Sequence, residues 1–206
     1  AIFDFQDDEV DFGNPNLTPE NAWEYELSYE HRLADDNGAL EFRAFLKNID
    51  DHIDKGPIDI DRDGVADTDE AELLSSAQAN IGKAQLYGAE VKSSLRMSWI
   101  GVPDAVIKAS VLIQDSETTD PFTGEKREMF RTRRTNWSVG FRHDVSGIAL
   151  SYGLDIKRLV GVNRTDNVRD RWRYEDDIKM TAFLEKRVFG GMTLRFDGAR
   201  LLEDKA

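Results

Sequence analysis

Apolar and polar residues alternate along most of this chain with a period of two, the mark of a strand with one apolar and one polar face. In "WEYELSYEHRL" Trp23, Tyr25, Leu27, Tyr29 and Leu33 share one face, and Glu24, Glu26, Ser28, Glu30 and Arg32 the other. "LEFRAFLK" sets Leu40, Phe42, Ala44 and Leu46 against Glu41, Arg43 and Lys47. "YGAEVKSSLRMSW" sets Tyr87, Ala89, Val91, Leu95, Met97 and Trp99 against Glu90, Lys92, Ser94, Arg96 and Ser98. The same rhythm returns in "IKASVLIQ", "WSVGFRH", "IALSYGLDIK", "IKMTAFLEK" and "MTLRF", which makes eight predicted strands.

The connections alternate as well. "ADDNG", "IGVPD", "DVSG" and "FGG" have the Gly, Asn, Asp and Pro chemistry of short turns. Between them lie long polar connections over residues 48–84, 116–134 and 158–176. Short turns at one end and long loops at the other predict an up-and-down antiparallel sheet. Only "DTDEAELLSSAQANIG" breaks the period. Its early acids, its Leu73, Leu74 and Ala77, and Gly82 as a stop predict a short helix in the first long loop.

Alternation does not say which face is dry. In a soluble sheet the apolar face is the core; in a membrane barrel it meets lipid and the polar face lines the lumen. No apolar run reaches the ~20 residues of a membrane helix, but a barrel strand needs only about ten alternating ones. Trp23, Trp99 and Trp137 near strand ends suit interfacial girdles, and the mixed charges of the polar face suit a lumen. The prediction is an all-β, antiparallel, up-and-down transmembrane barrel segment. The alternative is a secreted soluble all-β domain with a calcium-binding or adhesive role.

Two stretches add a resemblance. "GNPNLTPENAWEYELSYEH", through Gly13, Asn14, Pro15, Leu17, Pro19 and Glu20, resembles the lead into a late strand of TonB-dependent outer-membrane receptors. "NIGKAQLYGAEVKSSL", through Asn80, Gly82, Ala84, Gly88 and Glu90, is similar to a later signature of the same family. The resemblance implies a plugged barrel of about 22 strands in the outer membrane of a Gram-negative bacterium. Such a receptor takes up a scarce nutrient of the siderophore, cobalamin or oligosaccharide class. Its implied partners are outer-membrane lipid and lipopolysaccharide, the nutrient, and the TonB-system inner-membrane motor, reached through an N-terminal part. The opening "AIFDFQDDEV" has no initiator methionine, no plug or motor-binding box is visible, and "LLEDKA" supplies no closing aromatic strand. Residues 1–206 are therefore expected to be one partial barrel domain of about eight strands.

Composition narrows the chemistry. A net charge of −13 and a pI near 4.7 argue against nucleic acid as a partner. With no cysteine, neither a disulfide nor a thiolate metal site can form. Acidic loops favour divalent cations instead. "DIDRDGVADTDE" fits an EF-hand loop, with Asp59, Asp61, Asp63, Val65 (through its carbonyl), Asp67 and Glu70 at ligand positions and Gly64 at the turn. Ca²⁺ is thus the candidate cofactor. Two basic, aromatic-bearing clusters are candidate ligand contacts: Lys126, Arg127, Arg131, Arg133 and Arg134 in the second long loop, and Arg171, Trp172, Arg173 and Tyr174 in the third. Of the histidines, His31 and His143 are expected on strands, and His52 in a solvated loop. Ser, His and Asp in "HDVS" lie in one tight turn where no catalytic triad can form. With no other catalytic motif visible, the protein is not expected to be an enzyme.

Overall fold

The computed structural model describes residues 2–3, 10–11, 14, 16–57, 76–129, 132–165, 171–174 and 178–202. Their strands are β1 (Ile2–Phe3), β2 (Val10–Asp11), β3 (Asn21–Arg32), β4 (Gly38–Asp50), β5 (Ile53–Pro57), β6 (Ser76–Asn80) and β7 (Ala84–Met97). They continue as β8 (Val102–Thr119), β9 (Lys126–Arg127), β10 (Arg133–Val145), β11 (Leu150–Thr165), β12 (Arg171–Tyr174), β13 (Lys179–Arg187) and β14 (Thr193–Gly198). The main sheet runs β14-β13-β11-β10-β8-β7-β4-β3, with β12 added to β11 and β9 to β8; β1–β2 and β5–β6 are separate two-stranded sheets. All pairings are antiparallel, and the main sheet is open, with β3 and β14 at its edges.

The register carries each face across the sheet unbroken, because directly paired residues point the same way. Tyr29 pairs with Phe42, Phe42 with Val91, Val91 with Val111, and Val111 with Trp137. Leu95, Ile107, Phe141, Leu154 and Ala182 form a parallel row nearer the short turns. Among the described residues nothing packs on this face: Leu27 is 67% exposed, Ile113 61% and Phe196 67%. On β7, Tyr87 to Met97 spans about 34 Å of strand, which at a barrel tilt near 45° rises about 25 Å, the height of a barrel's apolar band.

Four short 3₁₀ turns close one end: Ala34–Asp36, Ser98–Ile100, Ser146–Ile148 and Phe189–Gly191. Three of them carry bulky apolar residues outward, with Trp99 78% and Phe189 94% exposed. At the other end the long connections continue the strands. β8 runs on to Thr119 and β11 to Thr165, and β9 and β12 pair back onto them. The first long connection contains the β5–β6 hairpin, where Ile53 pairs with Asn80 and Pro57 with Ser76. The helix expected over 67–82 is therefore corrected at its end: Ser76–Asn80 is a strand, and Asp67–Ser75 lies outside the described residues. Ala and Gln are good helix formers, but propensity is a weak prior, and pairing with β5 overrides it here.

Candidate functional site

On the polar face, rows of charge alternate with glycine. Gly88 pairs with Phe45, and a Cβ on Gly88 would stand 2.9 Å from the Phe45 ring and 2.6 Å from the Gln114 side chain. Gly153 pairs with Phe183, whose ring would stand 2.5 Å from a Cβ there. In both places an aromatic ring lies over a cross-strand glycine and covers bare backbone that a side chain would otherwise shield. Each ring then carries a guanidinium. Arg43 stands 4.8 Å over Phe45; Arg195 and Arg142 stand 4.7 and 5.5 Å from Phe183. Carboxylates hold these arginines in turn. Arg43 bonds Glu26 at 3.2 Å and Glu90 at 3.3 Å, Arg195 bonds Glu185 at 3.2 Å and Asp197 at 2.8 Å, and Arg142 bonds Asp144 at 2.9 Å. Ser110 and Ser138 share a hydrogen bond of 2.8 Å between the two stacks.

The most buried part of the described molecule is elsewhere, at the long-loop end, and it is polar. His52, Asp54, Ser116, Thr118 and Asp120 are all buried there, beside Ile49, Ala77 and Ala84. The chain leading into β3 supplies one side. Thr18 N–H donates to Asn80 Oδ1 and Asn80 Nδ2 donates back to Thr18 O, both at 2.9 Å, while Asn14 Nδ2 donates to Gln78 O at 3.0 Å. Glu20 Oε1 accepts from Ile53 N–H and from His52 Nδ1, each at 2.6 Å. An ionised carboxylate only accepts, so the Nδ1–H donates. His52 Nε2 is buried and has no hydrogen-bond partner among the described residues. Burial pushes the Glu20 carboxyl up, but the Ile53 N–H, the His52 bond and charge, and Lys47 outweigh it and hold it below its ordinary value. The β8–β9 side supplies the rest. Arg127 Nη1 donates to Asp54 Oδ2 at 2.9 Å and Arg127 Nε to Asp120 Oδ2 at 3.0 Å. Burial also pushes Asp120 up, and the N–H groups of Phe122 and Thr123, with Arg127, bring it below the usual carboxylate value.

A family model described as "TonB dependent receptor-like, beta-barrel" matches residues 3–177. This chain belongs to the TonB-dependent receptor family. Three solved structures share its fold at 12% identity each. They are the FrpB iron transporter of Neisseria meningitidis (TM-score 0.57, 89% of this chain, 25% of that one), the ferric-catecholate import receptor Fiu of E. coli K12 (0.63, 93% and 24%), and the copper transporter OprC (0.64, 91% and 27%). The chain thus spans about a quarter of the length of these structures. No curated protein matches the sequence.

Members of the TonB-dependent receptor family are Gram-negative outer-membrane transporters and not enzymes. Within that setting the bare apolar face is the lipid face of a barrel wall, the polar face with its glycine–phenylalanine–arginine stacks is the lumen wall, and the long-loop end is external. The two stretches that carry the resemblance in sequence meet in space: residues 14–20 and 78–82 are joined by the Thr18–Asn80 pair and the Asn14–Gln78 bond. Sequence reasoning saw both stretches but not that they touch.

The candidate residues fare differently. Asp59, Asp61, Asp63, Val65, Asp67 and Glu70 lie outside the described residues, as does Arg131. Arg133 lies on β10, and Arg171, Trp172, Arg173 and Tyr174 form β12 along β11, without described side chains. Arg134 bonds Glu128 at 2.6 Å and approaches Asp115 at 3.9 Å, so carboxylates of its own wall already engage it. Arg127, grouped with the candidate ligand contacts of the second long loop, is instead buried between two aspartates. His52 is likewise only 7% exposed, a correction to its placement in a solvated loop: Glu20 reaches across from the β3 lead-in and draws it under the β5–β6 hairpin. His31 stacks on Tyr29, and His143 bonds the Tyr152 hydroxyl at 2.9 Å, both on the apolar face.

Proposed function

We propose that this chain is the wall of an active transporter that takes up a scarce nutrient of the siderophore, cobalamin or oligosaccharide class, driven by the TonB-system inner-membrane motor through an N-terminal part. The family match over residues 3–177 carries this reading. A sheet with one lipid-type face and one charged face supports it, since that division suits a solute path through a membrane. The solved relatives are named for iron, ferric catecholate and copper, so ferric and cupric complexes belong in the test panel beside cobalamin and oligosaccharides. Uptake of each by cells with and without the complete gene is the test. The expected result is accumulation of one cargo that stops when the proton gradient is collapsed. Equal accumulation of every cargo in both strains would refute it.

Two further assignments belong to the same reading. Arg131, Arg133 and Arg134 with Arg171, Trp172, Arg173 and Tyr174 contribute contacts for an anionic ligand or for lipopolysaccharide phosphate at the external face, supported by their clustering in two long loops. Asp59–Glu70, in the connection between β5 and β6, binds Ca²⁺, supported by the register of its acids and Gly64. Glu70→Gln should weaken Ca²⁺ binding more than Asp69→Asn, which changes a non-ligand position. Calorimetry that finds no heat with millimolar Ca²⁺ would remove the site.

A further inference from the structure

The β5–β6 hairpin rises from β4 and β7 but is not continuous with the main sheet. The chain bends at its base, where Asp51 has φ +57° and Gly82 φ +102°. His52 N–H donates to Gly82 O at 2.7 Å and Ile81 N–H to His52 O at 2.8 Å, which closes the base as a narrow neck. A two-stranded hairpin on such a neck has no sheet neighbour to hold its direction, and an isolated hairpin is only marginally stable.

Among the described residues, contacts from both flanks hold it. On the β3 flank, Glu20 and the Thr18–Asn80 pair grip the neck, and Asn14 Nδ2 donates to Gln78 O on β6. On the β8 flank, the grip is ionic. Arg127 spans from Asp54 on β5 to Asp120, which follows β8. Its Nη1 also donates to Glu128 O at 3.1 Å, so the backbone just after β9 helps fix the direction of the planar guanidinium. Pro121 lies beside the hairpin at Gly56: a Cβ there would be in ordinary contact with Pro121 Cγ at 3.8 Å, and tight against Ala79 and Ile81 of the hairpin itself. The side chains of Arg127, Asp54 and Asp120 are 5–6% exposed.

We propose that Arg127 is a positioning residue, a strut that joins the first two external hairpins into one body. With the strut in place, β5–β6 and the β8–β9 turn keep a single separation and move together; without it, β5–β6 swings on the Asp51/Gly82 neck while β4 and β7 stay in register. The strut rests on the assignment of this end as external. Under the transport reading, a ligand touching either hairpin acts on both.

The test is a spin-label distance measurement on the complete receptor, with labels at Gln78 on β6 and Glu125 in the β8–β9 turn. A control pair at Val91 and Leu184 spans the wall itself. The intact protein should give one narrow distance for each pair. Arg127→Met should lose the narrow distance of the first pair and keep the control. Arg127→Lys should recover it only in part, since a point charge serves one carboxylate at a time. The triple variant Arg127→Met, Asp54→Asn, Asp120→Asn separates a strut from simple charge neutralisation. The proposal expects it to stay broad; return of the narrow distance there would overturn the strut, as would an unchanged distance in Arg127→Met. Because these distances are read without ligand, failure of the transport reading would show in uptake and leave this result standing.

Discussion

Gly88 shows how a single residue can be decided by its cross-strand partner. Its Cα lies under the Phe45 ring, and a methyl group there would meet Gln114, the Ile113 carbonyl and that ring all within 2.9 Å. Gly88→Ala should therefore destabilise the barrel by about 1–3 kcal/mol, the usual range for overpacking. Gly147→Ala, with nothing within 4 Å, is the matched control and should be near neutral. Thermal unfolding of the complete receptor, read by its shift on a gel with and without heating, compares the two. At the same scale, Glu20 and Asp120 set a pH limit on the external knot. Both carboxyls are held below their ordinary values, so each contributes stability above the ordinary carboxylate range, around pH 4, that is lost as pH falls through its folded value. Protection of the Ile53, Phe122 and Thr123 amides, as exchange relative to the unfolded chain at the same pH, should stay high from neutral pH to about pH 5 and fall only in stronger acid. Protection already lost at pH 6 would contradict that sign. Sequence could propose Glu20 from its motif. It could not reveal His52 or Arg127 as buried, because their partners are supplied by other segments of the chain.

At the scale of strands, legibility followed uniformity. The eight strands of the main path could be read because each keeps one apolar and one polar face over its central part, as in Tyr25–Leu27–Tyr29 against Glu24–Glu26–Ser28. The extension of β8 past the membrane band was missed because polar residues occupy both faces there, as in "DSETT", and that of β11 because "RLVGVNRT" does not keep the alternation. The β5–β6 hairpin was missed for a related reason: "SAQAN" has no apolar stripe, and its strand state comes from pairing with "IDKGP". The faces predict a parity rule for substitution. Val91→Arg on β7 should cost about 2–4 kcal/mol near the membrane midplane. Lys92→Ser, one residue on, removes only an exposed pair with Glu90 at 3.1 Å and should cost less than about 1 kcal/mol. Denaturant unfolding of the complete receptor from lipid vesicles measures both, and equal costs at the two positions would contradict the assignment of faces.

For the whole molecule, the central claim is that a sheet lacking a core of its own is a wall between lipid and lumen. Large apolar residues such as Val91, Val111 and Val139 stand 42–44% exposed with no layer packed against them, an arrangement water would penalise and lipid favours. The charged face needs no such cover, since its arginines are matched by carboxylates within the wall. The fold class was legible because period-two alternation over many strands has few physical solutions, and the turn-and-loop layout chose among them. The cargo was not legible, because period-two alternation specifies the wall and carries no signal for a ligand; the chain spans about a quarter of the length of its solved relatives. The most direct measurement is the accessibility of single spin labels to oxygen, which concentrates in lipid, and to a water-soluble nickel chelate, in the complete receptor reconstituted in bilayers. Labels at Val91, Val111 and Val139 should relax with oxygen and ignore nickel, while labels at Lys92, Ser110 and Ser138 should not show the lipid pattern. Nickel access at the three valines equal to that of a loop position would contradict the account.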